Sequence, residues 1–149
     1  MIPKTIFRFF LCIYLIILVW VSLSHLWSIS PLEIHPIRFR MNWNPINFTK
    51  DISYFGWAHQ MVLLIVPTLL YLPAGCLLPL SFNLFKSANN ILWIGLLFPF
   101  SLELFQGFIG RVADITDAIC GILGMFLGYA FYLFCLRKIM HRFKSSKSA

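Results

Sequence analysis

A chain of 149 residues that is 60% hydrophobic and 11% charged, with a mean hydropathy of +0.82, lies outside the range of soluble globular domains. Its formal net charge is +7, but Arg137, Lys138, Arg142, Lys144 and Lys147 all sit in a polar tail, residues 137–149, that directly follows an apolar run. Such a tail suits anionic lipid headgroups, and with no groove-entering or base-stacking module in the chain a nucleic-acid partner is excluded.

A membrane span needs ~20 mostly apolar residues, and four stretches meet that requirement. The first covers residues 6–27. Lys4 and Arg8 precede it as they would precede a secretory signal, yet the run is longer than an ordinary signal core and no small-x-small alanine site follows, so it reads as a retained helix. The second span covers residues 57–80, the third 91–109 and the fourth 115–136. The expected fold is therefore all-α: one polytopic membrane domain of four helices over residues 1–136, followed by a basic cytoplasmic tail over 137–149.

Lys and Arg concentrate on the cytoplasmic side of membrane proteins. With the N-terminus inside, Lys4, Arg8, Lys86 and the five basic tail residues face the cytoplasm, whereas Arg38, Arg40, Lys50 and Arg111 lie outside. Eight against four predicts that both termini are cytoplasmic. Cys12, Cys76, Cys120 and Cys135 fall inside spans without paired spacing, where cysteine behaves as a small hydrophobe. His25, His35 and His59 cluster toward the outer side, but no pair has the i, i+4 spacing of a helical metal site. No metal and no cofactor is expected. Trp20, Trp27, Trp43, Trp57 and Trp93 mostly mark span ends, as interfacial tryptophan does.

The last two spans break the apolar pattern. Residues 101–128 carry Glu103, Arg111, Asp114 and Asp117 together with Gln106. Each membrane-embedded charge costs ~2.5 to 3.5 kcal/mol even on lenient scales, so such groups mark function or a paired network. Asp117, Gly121, Gly124 and Gly128 recur at i, i+4, i+7 and i+11 and share one face of the fourth helix, with Asp114 close to the same stripe. Gly124 and Gly128 form a GxxxG pair that admits a neighbouring backbone. On the third span Pro99, Glu103, Gln106 and Gly107 cluster on one side, where Pro99 disturbs the helix and frees a carbonyl. The expected seam sets this side of the third helix against the glycine stripe of the fourth, with all five polar groups converging near the outer leaflet. A buried ion-pair network, Arg111 with Glu103 or the aspartates, is the structural alternative to a ligand or catalytic site.

The Glu103-x-x-Gln106 run, Arg111, Asp114, Asp117 and the Gly124-x-x-x-Gly128-Tyr129 segment resemble the signature of VanZ-like membrane proteins. Asn42-Trp43-Asn44-Pro45-Ile46 is similar to that family's Asn-Leu-Ile-Pro-Phe loop, and Pro73-Ala74-Gly75 with Pro79 to its Pro-Leu-Gly pattern in the second span. The resemblance covers about residues 38–136. The chain departs from it at Gly121, where the family usually has asparagine, and after Pro45, where an aromatic is missing. The transferable positions are Glu103, Gln106, Arg111, Asp114 and Asp117, with Asn42 outside that set. The resemblance implies a protein of the bacterial cytoplasmic membrane and an association with low-level teicoplanin resistance.

Three functions remain open. The chain could bind or redistribute an amphiphilic envelope ligand, such as a lipid-linked wall precursor or a lipoglycopeptide. It could be a membrane enzyme on a lipid-linked substrate, with Glu103 or Asp117 as general base and Arg111 on a phosphate, although no nucleophile or metal-ligand motif is recognisable. It could be an assembly subunit whose Gly121/Gly124/Gly128 face docks a partner helix or a second copy.

Overall fold

A computed structural model describes residues 3–23, 40–43, 47–109 and 112–136. Four helices dominate it: α1 (Lys4–Leu23), α2 (Asn47–Ser81), α3 (Ala88–Phe108) and α4 (Ile115–Phe131), the last continued by a wider π turn over Tyr132–Leu136. Within these, Lys4–Leu23, Gly56–Ser81, Ala88–Phe108 and Ile115–Cys135 are long and apolar enough to cross a membrane. The expected four-helix membrane architecture is therefore present. The predicted extension of the first span to residue 27, and the basic tail, lie outside the described residues.

The second span begins where the sequence placed it, and the cause is local. Gly56 has φ +81° and ψ 163°, a backbone region that side chains beyond hydrogen disfavour. The helical segment before it is thus separated from the span. Pro67, Pro73 and Pro79 all lie inside α2 and each withdraws one i→i−4 donor, so this helix leaves carbonyls for other partners. The Tyr14 hydroxyl of α1 donates to one neighbouring carbonyl, that of Leu70, and Thr68 Oγ1 donates to the Leu64 carbonyl at 2.8 Å.

Short connections reverse the chain between α2 and α3 and between α3 and α4. The start of α1 and the end of α4 meet at the turn between α2 and α3, Asn83–Lys86: Lys4 Nζ donates to Asn83 Oδ1 at 2.9 Å, and the Tyr129 hydroxyl to the Lys86 carbonyl at 3.0 Å. Arg8 Nε donates to the Ser81 carbonyl at 3.3 Å while its guanidinium lies 5.0 Å from the Phe82 ring centre. This end of the bundle is basic.

At the opposite end the all-α expectation misses a small element. Strand β1 (Arg40–Asn42) pairs in parallel with β2 (Val112–Asp114), with Arg40 opposite Val112, Met41 opposite Ala113 and Asn42 opposite Asp114. Each strand feeds a helix pointing the same way, α2 and α4, and parallel strands follow from that shared direction.

The glycine seam is real, but its main partner is α2 rather than the expected α3. A β-carbon at Gly124 would overlap the Thr68 carbonyl, and one at Gly128 the Leu72 carbonyl; reciprocally, one at Gly75 would overlap the Met125 carbonyl. Only Gly121 looks toward both neighbours, with a β-carbon there meeting Pro99 Cβ and the Tyr71 ring at 2.9 Å. Van der Waals packing drives helix association in lipid, where helices gain nothing from leaving water. Two parallel backbones in contact at three glycines therefore form the spine of the domain. Tyr71, Ala74, Leu78, Ile91 and Met125 complete the core with Leu11 and Leu18 of α1. Ile16, Leu69 and Phe134 remain strongly exposed, as side chains facing lipid would be.

Candidate functional site

The end of the bundle away from the basic turn gathers the polar residues singled out above. Glu103 and Gln106, one turn apart on α3, are 4% and 7% exposed. At 1.5 Å per residue, Glu103 lies roughly 8 Å from the end of α3, well inside the span. Asp117 falls in the first turn of α4, close to that helix's positive pole, where a carboxylate is favoured. Pro99 and Gly107 are buried on the Glu103 side of α3. Arg111 lies outside the described residues.

Asp114 does structural work. It is the N-cap of α4: its Oδ1 accepts from the Thr116 amide at 2.8 Å, satisfying one of the orphan donors that every helix start carries. Its Oδ2 accepts from Asn42 Nδ2 at 3.0 Å, and its own amide donates to Glu103 Oε1 at 2.7 Å. One aspartate thus joins the β1–β2 pair, the start of α4 and the last third of α3. Asn42, which sequence comparison left aside, belongs to this cluster. What identifies it is the strand register that sets Asn42 opposite Asp114, and two three-residue strands leave no readable alternation in a sequence.

Beneath this clasp lies a partly open cavity of about 160 Å³. Glu103, Gln106 and Asp117 line it together with Ser22, Tyr71 and Pro67. Asp114 is not part of its wall, so the five expected residues divide into Glu103, Gln106 and Asp117 around a cavity, Asp114 in the clasp, and Arg111 outside the described residues. The remaining wall is aliphatic: Val21 from α1 and Val62, Leu63, Val66 and Leu70 from α2. Val62 and Leu63 are also 51% and 42% exposed, so the wall runs continuously onto the outer surface of α2. The cavity therefore reaches the side of the bundle between α1 and α2.

Tyr71 and Ser22 both line the cavity, from α2 and α1. Sequence reading passed over both, and over Gln60, whose buried Nε2 has no hydrogen-bond partner among the described residues. A single glutamine in an otherwise apolar run is the signal that could have drawn attention to it. Gln60 precedes Leu63 by three residues and Pro67 by seven, and so shares the cavity-lining face of α2, one turn nearer the end of the span. Among the described residues no group of three or more His, Cys, Asp and Glu side chains could hold a metal ion.

No curated protein matches the chain, and no solved structure does. The family model described as VanZ/LLP1 matches residues 8–137, which spans all four helices and extends the sequence resemblance into α1. With that match covering most of the chain and four membrane-length helices within it, the chain belongs to the VanZ/LLP1 family.

Proposed function

We propose that this membrane protein binds the polar part of an amphiphilic envelope molecule that enters from the outer leaflet, and thereby contributes to tolerance of lipoglycopeptides. The observation that carries this reading is the sideways cavity: polar at its base with Glu103, Gln106 and Asp117, aliphatic at its mouth with Val62 and Leu63. That gradient matches a molecule whose tail stays in lipid while its head leaves the interface. The outward placement rests on the count of basic residues, since Lys4, Arg8 and Lys86 lie at the opposite end of the bundle and cytoplasmic ends are basic.

Size narrows the reading. A cavity of about 150 Å³ accommodates a group the size of benzene, on the order of six heavy atoms. The 160 Å³ here admits one small substituent, not the whole head of a wall precursor or a glycopeptide core. Binding through one substituent favours capture or redistribution over catalysis.

The test is made in the native host. The deletion strain is complemented with wild type, Glu103→Gln, Asp117→Asn or Arg111→Gln at matched membrane abundance and challenged with a lipoglycopeptide. Glutamine at 103 keeps an acceptor for the Asp114 amide, so the clasp survives. Glu103→Gln and Asp117→Asn are expected to be as sensitive as the deletion. Wild-type tolerance in all three, where the deletion is sensitised, would reduce the polar cluster to a structural clasp.

A further inference from the structure

At the end of the bundle away from the cavity, two cations of α1 are held in place by neutral oxygens. Lys4 Nζ donates to Asn83 Oδ1 at 2.9 Å and Arg8 Nε to the Ser81 carbonyl at 3.3 Å, while the Arg8 guanidinium rests 5.0 Å from the Phe82 ring centre. A neutral acceptor positions a cation and leaves its charge intact. Asn83 and Lys86 begin and end one 3-10 turn, in which residues three apart share a side, so Lys86 joins Lys4 on that side. Lys4 and Arg8, at i and i+4, also share a face of α1, where like charges repel. Three exposed cations thus meet at one corner, and an anion among them relieves the repulsion.

The segments that lead into or out of this end in sequence, residues 1–8, 81–88 and 129–149, contain eight Lys and Arg and no Asp or Glu. The acids fall elsewhere: Glu33 and Asp51 between α1 and Gly56, and Glu103, Asp114 and Asp117 where α3 gives way to α4. With Nε anchored, the terminal N–H groups of Arg8 form the fork that suits a phosphate. Apolar surface borders the three cations, since Ile6, Phe9 and Phe10 of α1 and Leu84 of the turn are all exposed. Lys4–Leu23 is long and apolar enough to span a membrane, so its first turn meets the headgroups, and Arg8 lies roughly 6 Å deeper along the helix. A free phosphate would leave that apolar border uncovered. We infer that this corner is a site for one anionic phospholipid, its phosphate among Lys4, Arg8 and Lys86 and its chains along α1 and the turn. The site does not depend on the cavity.

Native mass spectrometry of the purified full chain tests this with dioleoyl phosphatidylglycerol and dioleoyl phosphatidylcholine, which share their chains and differ in net charge. Wild type is expected to retain one phosphatidylglycerol per chain, about tenfold or more over phosphatidylcholine at equal concentration. Arg8→Gln should lower that retention about fivefold, the worth of one basic group at a headgroup. Lys4→Gln with Lys86→Gln, both surface changes, should bring it down to the phosphatidylcholine level, and decides the matter if Arg8→Gln does not fold. Replacing Arg137, Lys138, Arg142, Lys144 and Lys147 by Gln should leave the lipid in place, which separates the corner from the tail.

Equal retention of the two lipids by wild type would overturn the assignment. So would a lipid that leaves with the tail charges or that stays in both corner variants. Displacement of the lipid by excess inorganic phosphate would replace it with a free-anion site.

Discussion

Gly124→Leu is expected to remove nearly all folded protein from the membrane fraction that survives mild detergent. The position has no room for a β-carbon, because the Thr68 carbonyl of α2 already occupies that space. A backbone atom cannot change rotamer, so the two helices must move apart, and the contacts at Gly75 and Gly128 open with them. Overpacking a core costs ~1 to 3 kcal/mol where side chains can adjust, and a backbone collision belongs at or above the top of that range. Leu127→Phe is the control, since Leu127 is 53% exposed and points away from the seam. Phe126, on an outer face by helical spacing alone, is no such control: its ring packs 3.1 Å from the β-carbon position of Gly95 on α3. Size-exclusion chromatography and thermal unfolding in detergent measure both variants. Equal stability of Gly124→Leu and Leu127→Phe would mean that the seam does not hold the bundle.

Asp114→Ala is expected to destabilise the protein by about 2 to 3 kcal/mol. It removes an N-cap, typically ~1 kcal/mol, and a carboxylate acceptor for Asn42, ~1.5 to 3 kcal/mol for a bond to a charged group and less where water can replace it. Asp114→Asn retains an acceptor for the Thr116 amide and should lose under half as much. Combining Asp114→Ala with Asn42→Ala in a double-mutant cycle isolates the link between β1 and α4, and a coupling of about 1 kcal/mol is expected. Strict additivity of the two changes would mean that the strand pair is not held by this bond. The Glu103 and Asp117 variants proposed above, by contrast, should alter function at near-constant stability.

Much of the architecture was legible because lipid imposes simple rules. Twenty apolar residues make a span, and the second starts at the residue after Gly56, whose backbone angles break the helix there. Glu103, Gln106 and Asp117 stood out as polar groups in apolar runs, and they do share one cavity. The glycine face was legible too, but not the helix it meets. Helical periodicity defines a stripe and is silent on which neighbour lies across it, and here the neighbour is α2, parallel to α4. The β1–β2 pair and the bond from Asn42 to Asp114 span 72 residues and depend on register between segments too short to show a pattern. Ser22 and Tyr71 looked ordinary because their place in the cavity arises only when α1 closes on α2.

We propose above that the cavity between α1 and α2 holds part of an envelope amphiphile. The most direct test is to purify wild type and Val66→Phe, which crowds the cavity without touching a charge, in native lipid at equal yield and compare the co-purifying molecules by mass spectrometry, with Leu69→Phe, on the lipid-facing side of α2, as the control. The account predicts one amphiphile present at about one per chain in wild type and Leu69→Phe and missing from Val66→Phe, against an unchanged background of bulk lipid. Identical complements in all three proteins would contradict it.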